Sequence, residues 1–169
     1  MKHTKLKGFT LLELIVVITV IVVLISLTLP AINNARMKAR DGRRVEELRE
    51  IETALRLYSQ SHSGNFPVSD SGETISASST LITALLPLYL MAQPEDPRPE
   101  FFAYYYKTDP NGTFFKLAAY MEKNKDLAQD DGGAANDFYE LYNYSGDKVS
   151  LTRETLCAAM PVRPADCPQ

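Results

Sequence analysis

The sequence has no tryptophan and only two histidines and two cysteines. His3 and His62 lie far apart along the chain, so they do not present themselves as a pair. Serines and aspartates are scattered without a base beside them, and no catalytic constellation emerges. An enzymatic role therefore has no residues to rest on. Cys157 and Cys167 both sit near the C-terminus, in a tail that lacks the further ligands a zinc site needs. The formal net charge of -3 makes no demand for nucleic acid or an anionic surface as partner. The chain of 169 residues is long enough for one domain of modest size.

Charge is also missing locally. From Leu14 to Leu29 the chain reads LIVVITVIVVLISLTL, without a charged residue. From Phe9 to Ile32 the one exception is Glu13. At about 1.5 Å per residue this segment makes roughly 36 Å of helix, enough to cross a hydrocarbon core. A buried core helix fits less well, because the run is apolar on every side. An ordinary secretory signal fits the basic start, MKHTKLK, but no A-x-A-like site follows the run. The small residue at the sharp boundary is Gly8, ahead of the apolar segment, which points to cleavage that leaves the segment on the mature chain. Lys2, Lys5 and Lys7 flank one end. Arg36, Lys38, Arg40, Arg43 and Arg44 flank the other, with Asp41 among them, so the positive-inside bias does not settle orientation.

A short basic leader, then Gly8-Phe9-Thr10-Leu11-Leu12-Glu13-Leu14, then an apolar run with Pro30 near its end, resembles the N-terminal signal of type IV prepilins and type II secretion pseudopilins. The resemblance implies cleavage after Gly8 by a membrane prepilin peptidase and N-methylation of Phe9. It also implies assembly with other pilin-like subunits on an inner-membrane platform, as a surface pilus or a secretion pseudopilus. Glu13 would then set registry by offsetting the Phe9 amine of a neighbouring subunit. The expected organisation is a leader over residues 1–8, a transmembrane and filament-core helix over 9–32, its amphipathic continuation over 33–63, and a globular pilin-like domain over 64–169. The location implied is the cytoplasmic membrane with an exported C-terminal domain. The rival reading is a single-pass anchored, exported domain with a ligand-binding or enzymatic head.

Beyond Pro30, Val45, Leu48, Ile51, Leu55 and Tyr58 recur at three- and four-residue spacing. They predict an amphipathic helix continuing to about residue 61, packed on the C-terminal domain rather than in a coiled-coil stalk. Pro30 is expected to kink or loosen this helix, with Gly42 a second weak point. Gly64 and Pro67 supply the stop. Residues 36–44 are basic, and Glu46, Glu47, Glu50 and Glu52 follow. This segregation reads either as axial pairing between stacked subunits or as a solvated face with internal i,i+4 pairs. The basic cluster is short and gives no reason to expect DNA.

Residues 68–80 read as a polar loop, and 81–92 as a short helix or apolar turn. FFAYYYK (101–107) and TFFKLAAYM (113–121) flank TDPNG, the pattern of an antiparallel hairpin, and DFYELYNYS (137–145) makes a third strand. The aromatic residues read as core rather than a ligand platform. The fold class expected is α+β, a long helix on a small antiparallel sheet. Between the second and third strands lie Asp126, Asp130, Asp131, Asn136 and Asp137, with Gly132 and Gly133. The segment resembles the calcium-holding loop of major pseudopilins and supplies the hard oxygens calcium takes, but it lacks EF-hand spacing. A calcium site and a plain acidic loop both remain open, and no cofactor is required. Cys157 and Cys167 resemble the C-terminal disulfide loop of many type IV pilins, and an exported domain permits such a bond. The alternative is two free thiols.

Overall fold

Thr10 starts the first helix, α1, which runs Leu11–Ser61. In the computed structural model the described residues are 9–133, 135–144, 148–165 and 167, apart from the side chains of 27 and 28. The chain divides into two compact units, 1–37 and 38–169. α1 is assigned as unbroken helix through both Pro30 and Gly42. Pro30 removes one N–H from the ladder. Past Ser61 the chain turns with Ser63 and Gly64 at positive φ, and Gly64 N donates to Ser59 O at 2.8 Å. This closure satisfies a carbonyl left over at the helix end, and it needs the left-handed backbone that glycine adopts freely.

Within residues 1–37, the apolar side chains from Phe9 to Ile25 have no cover. Thr19 Oγ1 donates to the carbonyls of Ile15 and Val16, and Ser26 Oγ to that of Val23. The hydroxyls are thus satisfied within the helix, which suits an apolar solvent. It is the one helix, among the described residues, long and apolar enough to cross a membrane.

Residues 38–169 build their own core on a four-stranded antiparallel sheet, ordered β1 (Glu73–Thr74), β2 (Tyr105–Thr108), β3 (Phe115–Tyr120) and β4 (Phe138–Tyr142). Its register pairs Tyr106 with Leu117 and Leu117 with Leu141. Alternation divides the strands between two cores. Phe115, Leu117, Ala119, Tyr106 and Tyr139 meet the helix stripe of Val45, Leu48, Ile51, Ala54 and Leu55. Leu48, Ile51 and Leu55 are fully buried, at about 1.5–3 kcal/mol each relative to exposure, so this stripe decides how α1 packs. The expected stripe is thus found, on a sheet rather than a coiled-coil partner.

The opposite face of the sheet carries Tyr105, Ala118, Tyr120 and Phe138. It is covered by Leu151, Leu156, Met160 and the Cys157–Cys167 disulfide, whose Cα atoms are 5.9 Å apart. Two short helices lie on the way, α2 (Thr80–Leu85) and α3 (Lys125–Gln129), and a third, α4 (Arg153–Ala158), carries Cys157. The tail is therefore a second core layer instead of a loose end.

Two of the expectations need correction. Residues 101–104 lie outside the β2 ladder, because Phe101 and Phe102 amides both donate to Arg98 O in a turn. Residues 68–80 contain β1, whose Glu73 carboxylate accepts the amides of Thr80 and Leu81 at the start of α2. The expected antiparallel hairpin between β2 and β3 is found, with its loop over residues 109–114. Asp109 gathers the amides of Asn111, Thr113 and Phe114, and Gly112 sits at positive φ where a side chain would strike Phe66 O.

The head is also held by a buried ionic cluster. Arg44, without solvent access, donates two hydrogen bonds to Asp96, from Nε at 2.6 Å and Nη2 at 2.9 Å. Its Nη1 donates to Asp41 at 2.9 Å and Glu122 at 2.8 Å. Asp41 accepts the backbone amides of Glu122, Lys123 and Asn124 at 2.8–2.9 Å. Arg40 forks onto Glu122 at 2.8 and 2.7 Å. Arg44 also lies over the Phe102 ring. Burial alone would raise the Glu122 carboxyl, but hydrogen bonds from Arg40 and Arg44 hold it at about 2. Buried charges of this kind are tolerated only when each is paired.

Removing one partner strands the others. Arg44→Ala is expected to lower head stability by about 3–5 kcal/mol, measured by chemical unfolding in detergent. The depressed Glu122 contributes stability that is complete above its ordinary pKa of 4.5 and is lost as pH falls towards about 2. The unfolding midpoint should drop across that window, and Glu122→Gln should show a weaker acid dependence. Cys157→Ser should cost about 2–3 kcal/mol by the chain-entropy account of a loop this size, read from the same unfolding curves under oxidising conditions.

Candidate functional site

The N-terminal segment is the first candidate, and its geometry begins at Thr10. Glu13 N donates to Thr10 Oγ1 at 3.2 Å. The Thr10 amide and hydroxyl reach back to Glu13 Oε2 over 3.5 and 3.4 Å. This is the reciprocal arrangement of a capping box, with Thr10 at the N-cap and Glu13 at the third helical position. Glu13 also stands in the first turn, where a helix favours negative charge. The carboxylate therefore has a local duty that sequence reading missed, although Thr-x-x-Glu ahead of an apolar run signals it. Phe9 is 82% exposed at the end of this helix. Gly8 lies outside the described residues, so the structure places only the Phe9 side of the expected cleavage point. Pro30 lies within α1, as expected from the sequence.

The charged part of α1 is the second candidate. Of its basic residues, Arg40 and Arg44 are spent on the buried cluster. Arg43 pairs with Glu47 at 2.6 Å, and Arg56 with Glu52 at 2.6 Å, both four residues apart. Glu47 also accepts the Tyr104 hydroxyl at 2.7 Å, and burial pushes that phenol above its usual range. The reading of internal i,i+4 pairs thus holds for two pairs. Asp41, Arg44, Asp96 and Glu122 escaped sequence reading. Asp41 and Arg44 continue the spacing of Val45, Leu48, Ile51 and Leu55 backwards, which was the available signal.

The acidic loop is the third candidate. Asp126 lies in the first turn of α3 and Asp130 at its C-cap, both exposed. Asp131 is half-buried, and both of its oxygens accept backbone amides, from Gly133 at 2.7 Å and from Glu140 at 2.6 Å. Burial pushes its carboxyl up, against those hydrogen bonds. Asn136 is exposed. Asp137 accepts from Lys125 at 2.9 Å and from Arg153 Nε at 2.6 Å. Behind them Lys116 Nζ is 2.7 Å from Glu140 Oε2, a buried ion pair whose angle is poor for a hydrogen bond. Among the described residues, no three acidic, histidine or cysteine side chains converge as a metal set. The oxygens of Asp131 are engaged by backbone amides, and those of Asp137 by Lys125 and Arg153.

No curated protein and no solved structure matches the chain. A family model does match at the first candidate: residues 4–29 fit the prokaryotic N-terminal methylation motif. That match covers residues 4–8, Phe9, Glu13 and most of the uncovered apolar part of α1, so the chain is similar at its N-terminus to proteins that carry this methylation motif.

Proposed function

We propose that this chain is a structural subunit of a type IV pilus-like filament or type II secretion pseudopilus. The observation that carries this reading is a methylation motif opening a helix whose apolar residues from Phe9 to Ile25 find no cover among the described residues. Uncovered apolar surface on this scale needs lipid or other protein around it. In this reading the helix uses both in turn. It waits in the inner membrane with the head exported, then packs among other helices once assembled. Cleavage after Gly8 by the prepilin peptidase frees the Phe9 amine, which becomes methylated. Glu13 in lipid carries a cost of about 2.5–3.5 kcal/mol on insertion scales, relieved when it meets such an amine on a neighbour. The disulfide in the head suits an oxidising compartment. The role is structural and needs no cofactor.

Mass spectrometry of the mature N-terminus tests this directly. N-methylated Phe9 is the expected product. An intact Met1, or cleavage well beyond Gly8, would sink the reading and favour an anchored domain with a separate activity. Substitution of Gly8 by a bulky residue should leave the leader attached. Glu13→Ala should insert normally yet assemble poorly, measured as protein recovered in sheared filaments or in the secretion-competent pseudopilus fraction.

A further inference from the structure

The turn between β2 and β3 carries Asn111-Gly112, and Asn111 is the one asparagine in the sequence that precedes a glycine. This pair has a chemistry of its own. A glycine nitrogen, with no side chain crowding it, can attack the carboxamide carbon of the preceding asparagine and close a succinimide ring. Asn111 is exposed, and its carboxamide has no hydrogen-bond partner among the described residues. Asn143 gives the contrast: its Oδ1 accepts the Phe115 amide at 2.9 Å and its Nδ2 donates to Thr113 O at 3.1 Å. The electrophile at Asn111 is therefore open, but the nucleophile is not. Gly112 N donates to Asp109 O at 3.0 Å, and Gly112 O accepts the Phe66 amide at 2.7 Å. Gly112 is buried, and a Cβ there would lie 2.6 Å from Phe66 O. Asp109 fixes the same turn through its carboxylate, which accepts the Thr113 and Phe114 amides at 2.7 Å and that of Asn111 at 3.3 Å.

We propose that Asn111 is a latent deamidation site, held back by the folded turn and released when that turn opens. Ring closure forms a bond from Gly112 N to Asn111 Cγ and breaks the Cγ–Nδ2 bond. The Gly112 nitrogen gives up its proton, and ammonia leaves with it. Water then adds to the ring and is the one co-reactant. Opening at Cγ leaves an aspartate. Opening at the Asn111 carbonyl carbon leaves an isoaspartate, whose main chain runs through Cβ and Cγ. While the Gly112 N–H donates to Asp109 O, the nitrogen keeps its proton and stays within the closed turn. The reaction therefore needs local opening, and its rate follows the population of the open turn. Isoaspartate would lengthen the main chain by a methylene next to Gly112, whose carbonyl ties the turn to Phe66 in the segment leaving α1. Either product also adds a negative charge two positions from Asp109. Modified chains thus carry a covalent record that their hairpin has opened.

Peptide mapping by mass spectrometry tests this on the full chain in detergent, incubated at mildly alkaline pH to favour loss of the Gly112 proton. The folded chain should form aspartate and isoaspartate at position 111 at least about tenfold more slowly than the same chain reduced and unfolded in guanidinium. Asp109→Ala, with its fold checked by protease resistance, should speed the reaction in the folded chain about tenfold, because three amides lose their acceptor. A folded wild-type chain that reacts as fast as the unfolded one overturns the proposal, and so does an unfolded chain that does not react at Asn111. A folded Asp109→Ala chain no faster than wild type overturns it as well. If that variant does not fold, the comparison of folded with unfolded wild type decides alone.

Discussion

Arg44 is the residue on which the head depends, because it has no solvent to fall back on. Its guanidinium must be matched by protein groups, and three carboxylates from three stretches of chain do so: Asp41 on α1, Asp96 in the proline-rich segment and Glu122 after β3. Each of those acids is tied elsewhere as well, Asp41 to three backbone amides and Glu122 to Arg40. A planar fork can bind two acids at once in a way that a lysine ammonium cannot. Hydrophobic packing alone lets a helix slide or rotate on a sheet at modest cost. A cluster of paired charges has one satisfactory arrangement, and so fixes where α1 sits on its sheet.

The sheet takes this further by being covered on both faces. The α1 stripe lies on one face, and the disulfide-bonded C-terminal segment lies on the other. A head built this way meets its apolar needs internally. Residues 9–26 are the opposite case, a helix with its backbone and hydroxyls satisfied but its side chains bare. One chain thus joins a self-sufficient unit to one that must find its solvent elsewhere. A subunit that changes surroundings during its life requires that division.

Much of this was legible in the sequence because it follows from periodicity or from a short motif. The apolar run, the three-and-four spacing of Val45 to Tyr58, the aromatic hairpin and the GFTLLEL segment each state their structure locally. What escaped depends on contacts between distant segments. Nothing near Asp96 or Glu122 says that Arg44 will be buried beside them. The charges at 36–52 looked like one segregated surface, and only the folded chain shows which are spent inward. Asp131 is a similar case: its residue type was readable, but not its two amide partners. Thr10 and Glu13 are a different case, since the capping pattern lies within four consecutive residues and is local to them.

The acidic loop has a further consequence through β4, which is an edge strand. An edge offers unpaired amides to any passing strand. Here the amide of Glu140 is held by Asp131 and that of Phe138 by the Ala135 carbonyl. The other edge, β1, is only two residues long. Neither margin is an open template for another chain. In the proposed filament, where copies would be crowded together, blunted sheet margins would leave helix contacts as the cheaper way for them to meet.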